Sequence, residues 1–203
     1  MPNKYAEIVA QNIAILFSDD IPSRAEAMGA ELEGKALVFK AFGAQCRLMA
    51  NGAWLNNEQQ TGPLGIILSL YALHAIAENC RIEPFKAFKE LPNSAPYANA
   101  FASHTEHPLI PLVDRILDKQ HSLIDHFSGM PAPGHISSDC ALIVRPLPKI
   151  VLCYIFYQAD QDFPASAICL LSNNASAFLP VDALADTCEY TSRAIINLLA
   201  SMD

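Results

Sequence analysis

The segment that follows Pro148 most constrains what this chain can fold into. Its sequence is KIVLCYIFYQ, which is dominated by the β-branched and aromatic side chains typical of strands. Apolar residues occupy both alternating positions, so each face of the strand needs an apolar layer against it. The chain must therefore form a layered domain in which helices cover a central strand.

Segments on either side predict further strands and turns. ALIVR and SAICLLS have the same β-forming composition, and Asp160-Gln161-Asp162 predicts the turn before the second of them. Nearer the N-terminus, Asn51-Gly52 is a hairpin signal, because both residues tolerate the positive φ angles of a type I′ turn. We expect an antiparallel meander there, with strands near 36–41, 45–50 and 53–56.

Helical periodicity accounts for most of the remaining chain. The segment that begins at Pro63 is apolar nearly all round its axis, which is typical of a buried core helix. Ser23 and Glu26 have the spacing of a capping box, and Asp182 is placed to cap the last helix. The expected helices are an amphipathic one ending near Leu16, a short one ending at Met28, 63–79, 84–89, 95–103, 109–127 and one from Asp182 to about Leu199.

Composition predicts a single folded domain. Apolar residues make up 52% of the 203 residues and charged residues only 17%, so the chain can fill a core and intrinsic disorder is not expected. We expect one α+β domain over residues 1–203. In this domain helices cover a mainly antiparallel sheet that is formed by the N-terminal meander and the C-terminal strands.

Charge and hydropathy argue against two classes of partner. The chain has 13 Lys and Arg against 21 Asp and Glu, a net charge of −8, whereas nucleic-acid binding needs clustered cations facing phosphates. Its longest apolar stretch, Leu64 to Ala77, is shorter than the roughly 20 residues of a membrane-spanning helix. We therefore expect neither a nucleic-acid partner nor a membrane partner.

The cysteines indicate a reducing compartment. None of the six forms a C-x-x-C pair, and most lie in apolar runs, where a free thiol behaves as a small hydrophobe. Cys153 and Cys169 stand on adjacent predicted strands and are candidates for spatial neighbours. The N-terminus carries Glu7 and an amphipathic pattern rather than the apolar core of a signal peptide. We expect a cytoplasmic protein.

Three blocks of the sequence carry a family resemblance. They are GIILSLYALHAIA, PFKAFKELPNSAPYANAF and LPKIVLCYIFYQADQDFPASAICLLSNNASAFL, in this order and spacing. Together they resemble a bacterial and archaeal family catalogued as a domain of unknown function, number 3786, from about Tyr5 to Leu199. The resemblance implies a cytoplasmic single domain and an anaerobic setting. Some members carry a cysteine-rich iron–sulfur segment that this sequence lacks, so no cluster-binding role is implied here.

A basic and aromatic region in the middle of the chain is the candidate ligand site. Cations beside aromatic rings suit an anionic, planar ligand, and irregular segments on a rigid core often carry binding residues. In the alternative interpretation, the aromatic side chains only dock short helices onto the core. The candidate ligand-binding residues are Lys86, Lys89, Tyr97, Phe101 and, at a strand end farther along, Arg145.

Two pairs of residues are candidate metal ligands. His104 and His107 stand at i and i+3, so they can point the same way on a helix, although Pro108 follows at once. Asp160 and Asp162 could coordinate a divalent cation or act as acid and base. For the histidines, surface or capping positions are the alternative. For the aspartates it is a turn, because Asp accepts hydrogen bonds from turn backbone.

Motifs for common chemistries are absent from the sequence. It contains no phosphate-binding glycine loop, no G-x-S-x-G elbow and no H-E-x-x-H pair, so it names no reaction and no cofactor. Our first hypothesis is an accessory protein of anaerobic metabolism that binds a small-molecule ligand or cofactor. The alternatives are a small enzyme that uses Asp160 and Asp162, and a homodimeric interaction module without catalytic activity.

Overall fold

Two five-stranded antiparallel sheets carry the fold in the computed structural model, which describes residues 4–202. The first sheet is the expected N-terminal meander, with its strands in chain order. Its strands are β1 Glu31–Glu33, β2 Ala36–Ala41, β3 Ala44–Met49, β4 Gly52–Leu55 and β5 Glu58–Gln59. The expected α+β class is confirmed, but the meander and the C-terminal strands form separate sheets rather than one.

The second sheet has the order β6-β10-β9-β8-β7. Its strands are β6 Lys86–Ala87, β7 Met130–Pro131, β8 Cys140–Leu147, β9 Ile150–Tyr157 and β10 Ser166–Leu171. The two sheets meet where β2 lies against β8, and the backbone N–H of Phe42 donates to the carbonyl of Pro146 at 2.8 Å. One hydrophobic core therefore runs through both sheets.

Helices pack against both sheets. α1 and α3 pack against each other and on β4, while α5 packs on β8 and on α6. No helix within residues 4–202 combines the length and the apolar character that crossing a membrane requires. The helices are α1 Lys4–Leu16, α2 Ile21–Met28, α3 Pro63–His74, α4 Ala98–Phe101, α5 Val113–His126 and α6 Val181–Ala200.

β9 is the central strand that its sequence predicts, and it is buried on both faces. Leu152, Tyr154 and Phe156 face the main core, which the helices cover. Cys153 and Ile155 face the opposite way, into a second cluster. The expectation that helices cover both faces is wrong, since the irregular segments around Ile82 and Ile136 cover the second one.

Several helix boundaries differ from the sequence expectation. The segment 84–89 forms β6 and a 3₁₀ turn, Phe88–Glu90, because it pairs with the edge of β10. α3 ends at His74 rather than near residue 79, because Ala75 turns extended and Arg24 donates to the freed carbonyls of Leu73 and Ala75, at 3.1 and 3.4 Å.

The two predicted helix caps are also wrong. α2 begins at Ile21, so Ser23 lies inside its first turn and donates to the Asp20 carboxylate at 2.6 Å. α6 begins at Val181 after Pro180, which leaves Asp182 within the first helical turn rather than at its cap. The Asp182 carboxylate is therefore free of a capping role.

Candidate functional site

A cavity of about 280 Å³ lies between the α4 region and α6, and we call it the α4–α6 cavity. One wall belongs to the helical segment around α4 and the other to the first half of α6. Three residues singled out by the sequence, Tyr97, Phe101 and His104, line it together. The other lining residues are Ala100, Thr105, Asp182, Ala185, Asp186 and Glu189.

The first wall is shaped by an interruption of the helix. α4 continues into a π turn, Ala102–Glu106, and then into a 3₁₀ helix, His107–Leu112. Pro108 cannot donate to the carbonyl of His104, and in a regular α-helix its ring would clash with that carbonyl. The π turn carries His104 and Thr105 into the cavity wall, and π turns of this kind are frequent at functional sites.

Thr105 forms the buried part of this wall. Thr105 is fully buried, and its backbone carbonyl accepts a hydrogen bond from the Ser192 hydroxyl at 2.8 Å. The Ser192 hydroxyl proton is used in that bond, so the Tyr154 hydroxyl donates to Ser192 Oγ, 2.9 Å away. By contrast, Thr105 Oγ1 has no hydrogen-bond partner in the part of the chain that the structure describes.

The second wall is acidic. Asp182, Asp186 and Glu189 stand at i, i+4 and i+7 on α6, which places them on one face of the helix. The Glu189 carboxylate lies 3.2 Å from Nδ1 of His104 and pairs with Arg193 one turn farther along α6. Asp182 and Asp186 have no ion-pair partner within residues 4–202.

The environment of Asp186 disfavours its charged form. Partial burial raises the pKa of the Asp186 carboxyl above its usual value, and the negative charges of Glu189 and Asp182 raise it further. A positive group in the cavity would remove that penalty. The geometry thus suits a ligand that brings positive charge or hydrogen-bond donors to α6 and an apolar part to the aromatic rings of Tyr97 and Phe101.

Phe101 also belongs to a neighbouring depression, which we call the Lys89 groove. Its ring stacks on Phe88, with centroids 4.3 Å apart and planes 7° from parallel, as the docking alternative expects. The groove has a volume of about 360 Å³ and is lined by Lys89, Glu106 and Cys169 besides these rings. The Glu106 carboxylate accepts a hydrogen bond from the backbone N–H of Cys169 at 3.0 Å.

The structure does not bring all the candidate ligand contacts together. Lys86 pairs in β6 and lines neither the α4–α6 cavity nor the Lys89 groove. Arg145 lies on β8, and its Nη1 donates to the carbonyl of Pro148 at 2.8 Å, so it shapes the β8–β9 turn. Only Tyr97 and Phe101 of this set line the α4–α6 cavity.

The candidate metal ligands are likewise separated. His104 faces Glu189, whereas His107 begins the 3₁₀ helix and is exposed. Asp160 Oδ1 accepts hydrogen bonds from the backbone N–H groups of Asp162 and Phe163, at 2.8 and 2.7 Å, which is the turn geometry of the alternative interpretation. Within residues 4–202, no three His, Cys, Asp or Glu side chains group as a metal site would require. Metal binding by these residues stays a prediction.

Two of the cysteines do not meet as expected. Cys153 and Cys169 lie on adjacent strands but on opposite faces of the sheet. Cys169 instead lies in the main core beside Cys188 and Tyr154. Burial raises the pKa of the Cys169 thiol well above its usual value, so this thiol is protonated at neutral pH and is a poor nucleophile.

Comparisons with known proteins identify one family. A family model described as a domain of unknown function, DUF3786, matches residues 20–194. The matched stretch includes both walls of the α4–α6 cavity. Neither the curated proteins nor the solved structures contain a match to the chain.

Proposed function

This chain belongs to the DUF3786 family, and we propose that it is a cytoplasmic accessory protein that binds a small ligand in the α4–α6 cavity. The family description names no reaction, so the proposal is argued from the cavity. The anaerobic setting of the proposed function is supported by the family resemblance. The cytoplasmic setting is supported by the thiol pattern.

The composition of the cavity wall carries the proposal. It joins the aromatic rings of Tyr97 and Phe101 to the carboxylates of Asp182 and Asp186, which have no ion-pair partner within residues 4–202. Apolar walls with a few polar groups that fix orientation are typical of sites for small molecules. The unpartnered hydroxyl of Thr105 lies beneath this wall and has almost no accessible surface, so it is not a contact for an occupant of the cavity.

The size of the cavity supports a small ligand. A volume of about 280 Å³ corresponds to roughly nine molecules of liquid water at about 30 Å³ each. The aromatic wall offers an apolar surface through Tyr97 and Phe101, and α6 offers polar groups that fix orientation. Such a site fits a metabolite of a few carbon atoms rather than a nucleotide or a flavin.

A fragment screen tests this function without assuming the ligand. We would screen small fragments of positive, negative and zero charge by ligand-observed NMR against the wild-type protein and two variants. Ala185→Phe places a ring in the cavity, whereas Ala200→Phe adds the same ring at the exposed end of α6.

The proposal expects fragments that bind the wild type and Ala200→Phe and lose at least tenfold in affinity to Ala185→Phe. Circular dichroism would establish that both variants are folded. Fragments that bind equally well to all three proteins, or an absence of hits from the whole screen, would contradict ligand binding in this cavity.

A further inference from the structure

From the outward face of the first sheet we propose a second binding site, which takes a neutral sugar in its ring form. The site is built on Arg47, Trp54 and Gln59, which we call the Trp54 row. The sugar ring contacts the indole of Trp54, and its hydroxyl groups bond to the polar side chains on either side. The Trp54 row shares no residue with the α4–α6 cavity, so this inference is independent of the proposed function.

Strand pairing places the three side chains next to one another. Arg47 on β3 lies opposite Trp54 on β4, and Trp54 lies opposite Gln59 on β5. Residues that pair in this way point to the same face of a sheet. The preceding residue of β4, Ala53, points the other way, into the main core on which α1 and α3 pack. The Trp54 row therefore belongs to the opposite face of the sheet from these helices.

The indole of Trp54 is an apolar surface in the middle of this row. Trp54 is half-buried and, among the described residues, packs in neither the main core nor the second cluster. Its ring leans along β4 toward Gly52, where a β-carbon would lie only 3.3 Å from Cη2 of the ring. The absence of a side chain at Gly52 thus lets the indole lie along the sheet. An aromatic ring in this position offers an apolar contact to the C–H groups of a sugar ring.

Hydrogen-bonding groups flank the indole on both sides. On one side, Nη2 of Arg47 pairs with the Glu33 carboxylate at 2.6 Å, while the two side chains stay 33% and 47% exposed. On the other side, Gln59 is exposed, and its Nε2 donates a long bond of 3.4 Å to the Asn51 carbonyl. The free N–H groups of the guanidinium are donors, the carboxylate oxygens are acceptors, and the amide is both. A ligand with several hydroxyl groups matches this mixture, because each hydroxyl both donates and accepts.

The charge of this face favours a neutral ligand. The charged side chains that strand pairing places on it are Glu31, Glu33, Lys40 and Arg47. Their charges sum to zero, whereas the chain as a whole carries −8. A charged ligand would gain from one member of the Arg47–Glu33 pair and lose to the other.

The length of the row favours one or two sugar rings. Arg47 and Gln59 lie two strands apart, which is about 10 Å. A disaccharide laid across Trp54 therefore reaches the polar groups at both ends of the row.

Tryptophan fluorescence tests the inference directly, because Trp54 is the single tryptophan of the chain. We would titrate the wild type with cellobiose, maltose and mannobiose up to millimolar concentrations. Sorbitol supplies hydroxyl groups without a ring, and adenine supplies a neutral planar ring without hydroxyl groups. The variants are Gln59→Ala and the control Gln11→Ala, which removes the same amide from an exposed position on α1.

We expect a saturable change in fluorescence with at least one disaccharide and no change with sorbitol or adenine. Gln59→Ala should weaken binding by about three- to tenfold, because a hydrogen bond is lost, and Gln11→Ala should change it less than twofold. Trp54→Ala, measured by isothermal titration calorimetry, should abolish binding. Circular dichroism would establish that the three variants are folded.

Four outcomes would overturn the inference. They are no saturable response to any disaccharide, tighter binding of sorbitol or adenine, disaccharide binding that is unchanged in Gln59→Ala, and fluorescence that changes with protein concentration alone. The last would show that a second copy of the chain covers this face. None of them bears on the α4–α6 cavity, which the fragment screen tests.

Discussion

The side-chain hydroxyl of Thr105 is buried and has no hydrogen-bond partner in the part of the chain that the structure describes. The chain of hydrogen bonds from Tyr154 through Ser192 ends on the Thr105 carbonyl, and all three residues are buried. Each of those groups is satisfied, as buried polar groups normally are. The Thr105 side-chain oxygen has no such partner, although it belongs to the same residue as the carbonyl on which that chain of hydrogen bonds ends.

We predict that Thr105→Val stabilises the protein. Valine keeps the shape and the β-branched backbone preference of threonine and removes the unpartnered hydroxyl, so the free energy of unfolding should rise by about 1 kcal/mol. In a protein of this size the melting temperature would increase by about 2–4 °C. Differential scanning calorimetry without ligand measures the shift.

Thr187→Val is the matched control for this substitution. Its hydroxyl is equally buried and donates to the Ala183 carbonyl at 2.7 Å, so its removal should lower the free energy of unfolding. A destabilised Thr105→Val protein would show that the Thr105 hydroxyl has a partner in the folded molecule.

At the scale of elements, the turns of the meander show how much of a hairpin its local sequence predicts. The Asn51-Gly52 hairpin forms, but its two-residue turn is Ala50-Asn51, and Gly52 begins β4 with φ of +145°. The paired positive φ angles of a type I′ turn occur instead at Phe42-Gly43 and at Asn56-Asn57. Alternating apolar and polar residues predict the meander. The residues that occupy each turn depend on the register in which the two strands pair.

The contact between the end of α5 and β8 leads to a prediction about Gly129. A β-carbon there would lie 1.9 Å from the carbonyl oxygen of Ile143 and 3.3 Å from the backbone of Val144. Gly129→Ala must therefore push α5 away from the sheet, which we expect to cost about 1–3 kcal/mol or more. Urea unfolding followed by circular dichroism measures the loss.

Gly134→Ala serves as its control, because a β-carbon at that position meets no atom within 4 Å. The control should unfold within about 0.5 kcal/mol of the wild type. Equal stability of Gly129→Ala and the wild type would mean that the turn after α5 is not held against β8 as the structure has it.

At the scale of the whole molecule, the fold class followed from the sequence more completely than the site did. The two-sided apolar pattern of β9 requires a layered α+β domain, and the structure has one. Periodicity cannot say which strands share a sheet, so the sequence predicts one sheet where the structure has the meander and the C-terminal strands in two. Residues 84–89 form a strand only because the β10 edge lies beside them.

The candidate site was half visible in the sequence. Tyr97, Phe101 and His104 could be singled out by residue type. Asp186 and Glu189 were missed, although their spacing from Asp182 on a predicted helix marks an acidic face. Nothing in the sequence indicates that Thr105 lacks a partner, because that property depends on how α6 and the π turn pack together.

Buried thiols and phenols predict a loss of stability in alkali. Burial raises their folded-state pKa values, to about 12 for Cys153, so the unfolded chain loses these protons first. Their contribution to the free energy of unfolding is complete below about pH 8.5 and decreases as the pH rises. Each group that is ionised in the unfolded chain but still protonated in the folded protein lowers the free energy of unfolding by about 1.4 kcal/mol per pH unit. The groups are Cys46, Cys140, Cys153, Cys169, Tyr71 and Tyr154.

Guanidinium unfolding at pH 7, 9 and 10 measures this decrease. The free energy of unfolding of Cys46→Ala should decrease less with pH than that of the wild type, because the variant lacks one of the buried thiols that cause the decrease. A free energy of unfolding that stays constant up to pH 10 would mean that these thiols ionise as readily in the folded protein as in the unfolded chain.

The most direct test of ligand binding in the α4–α6 cavity is a backbone amide NMR titration of the wild-type protein with the tightest-binding fragments of the screen. The account predicts saturable chemical-shift changes concentrated at residues 97–105 and 182–189, which are the two walls of the cavity. Changes concentrated at Lys89 and Ile168 in the neighbouring groove, or no saturable change anywhere, would contradict it.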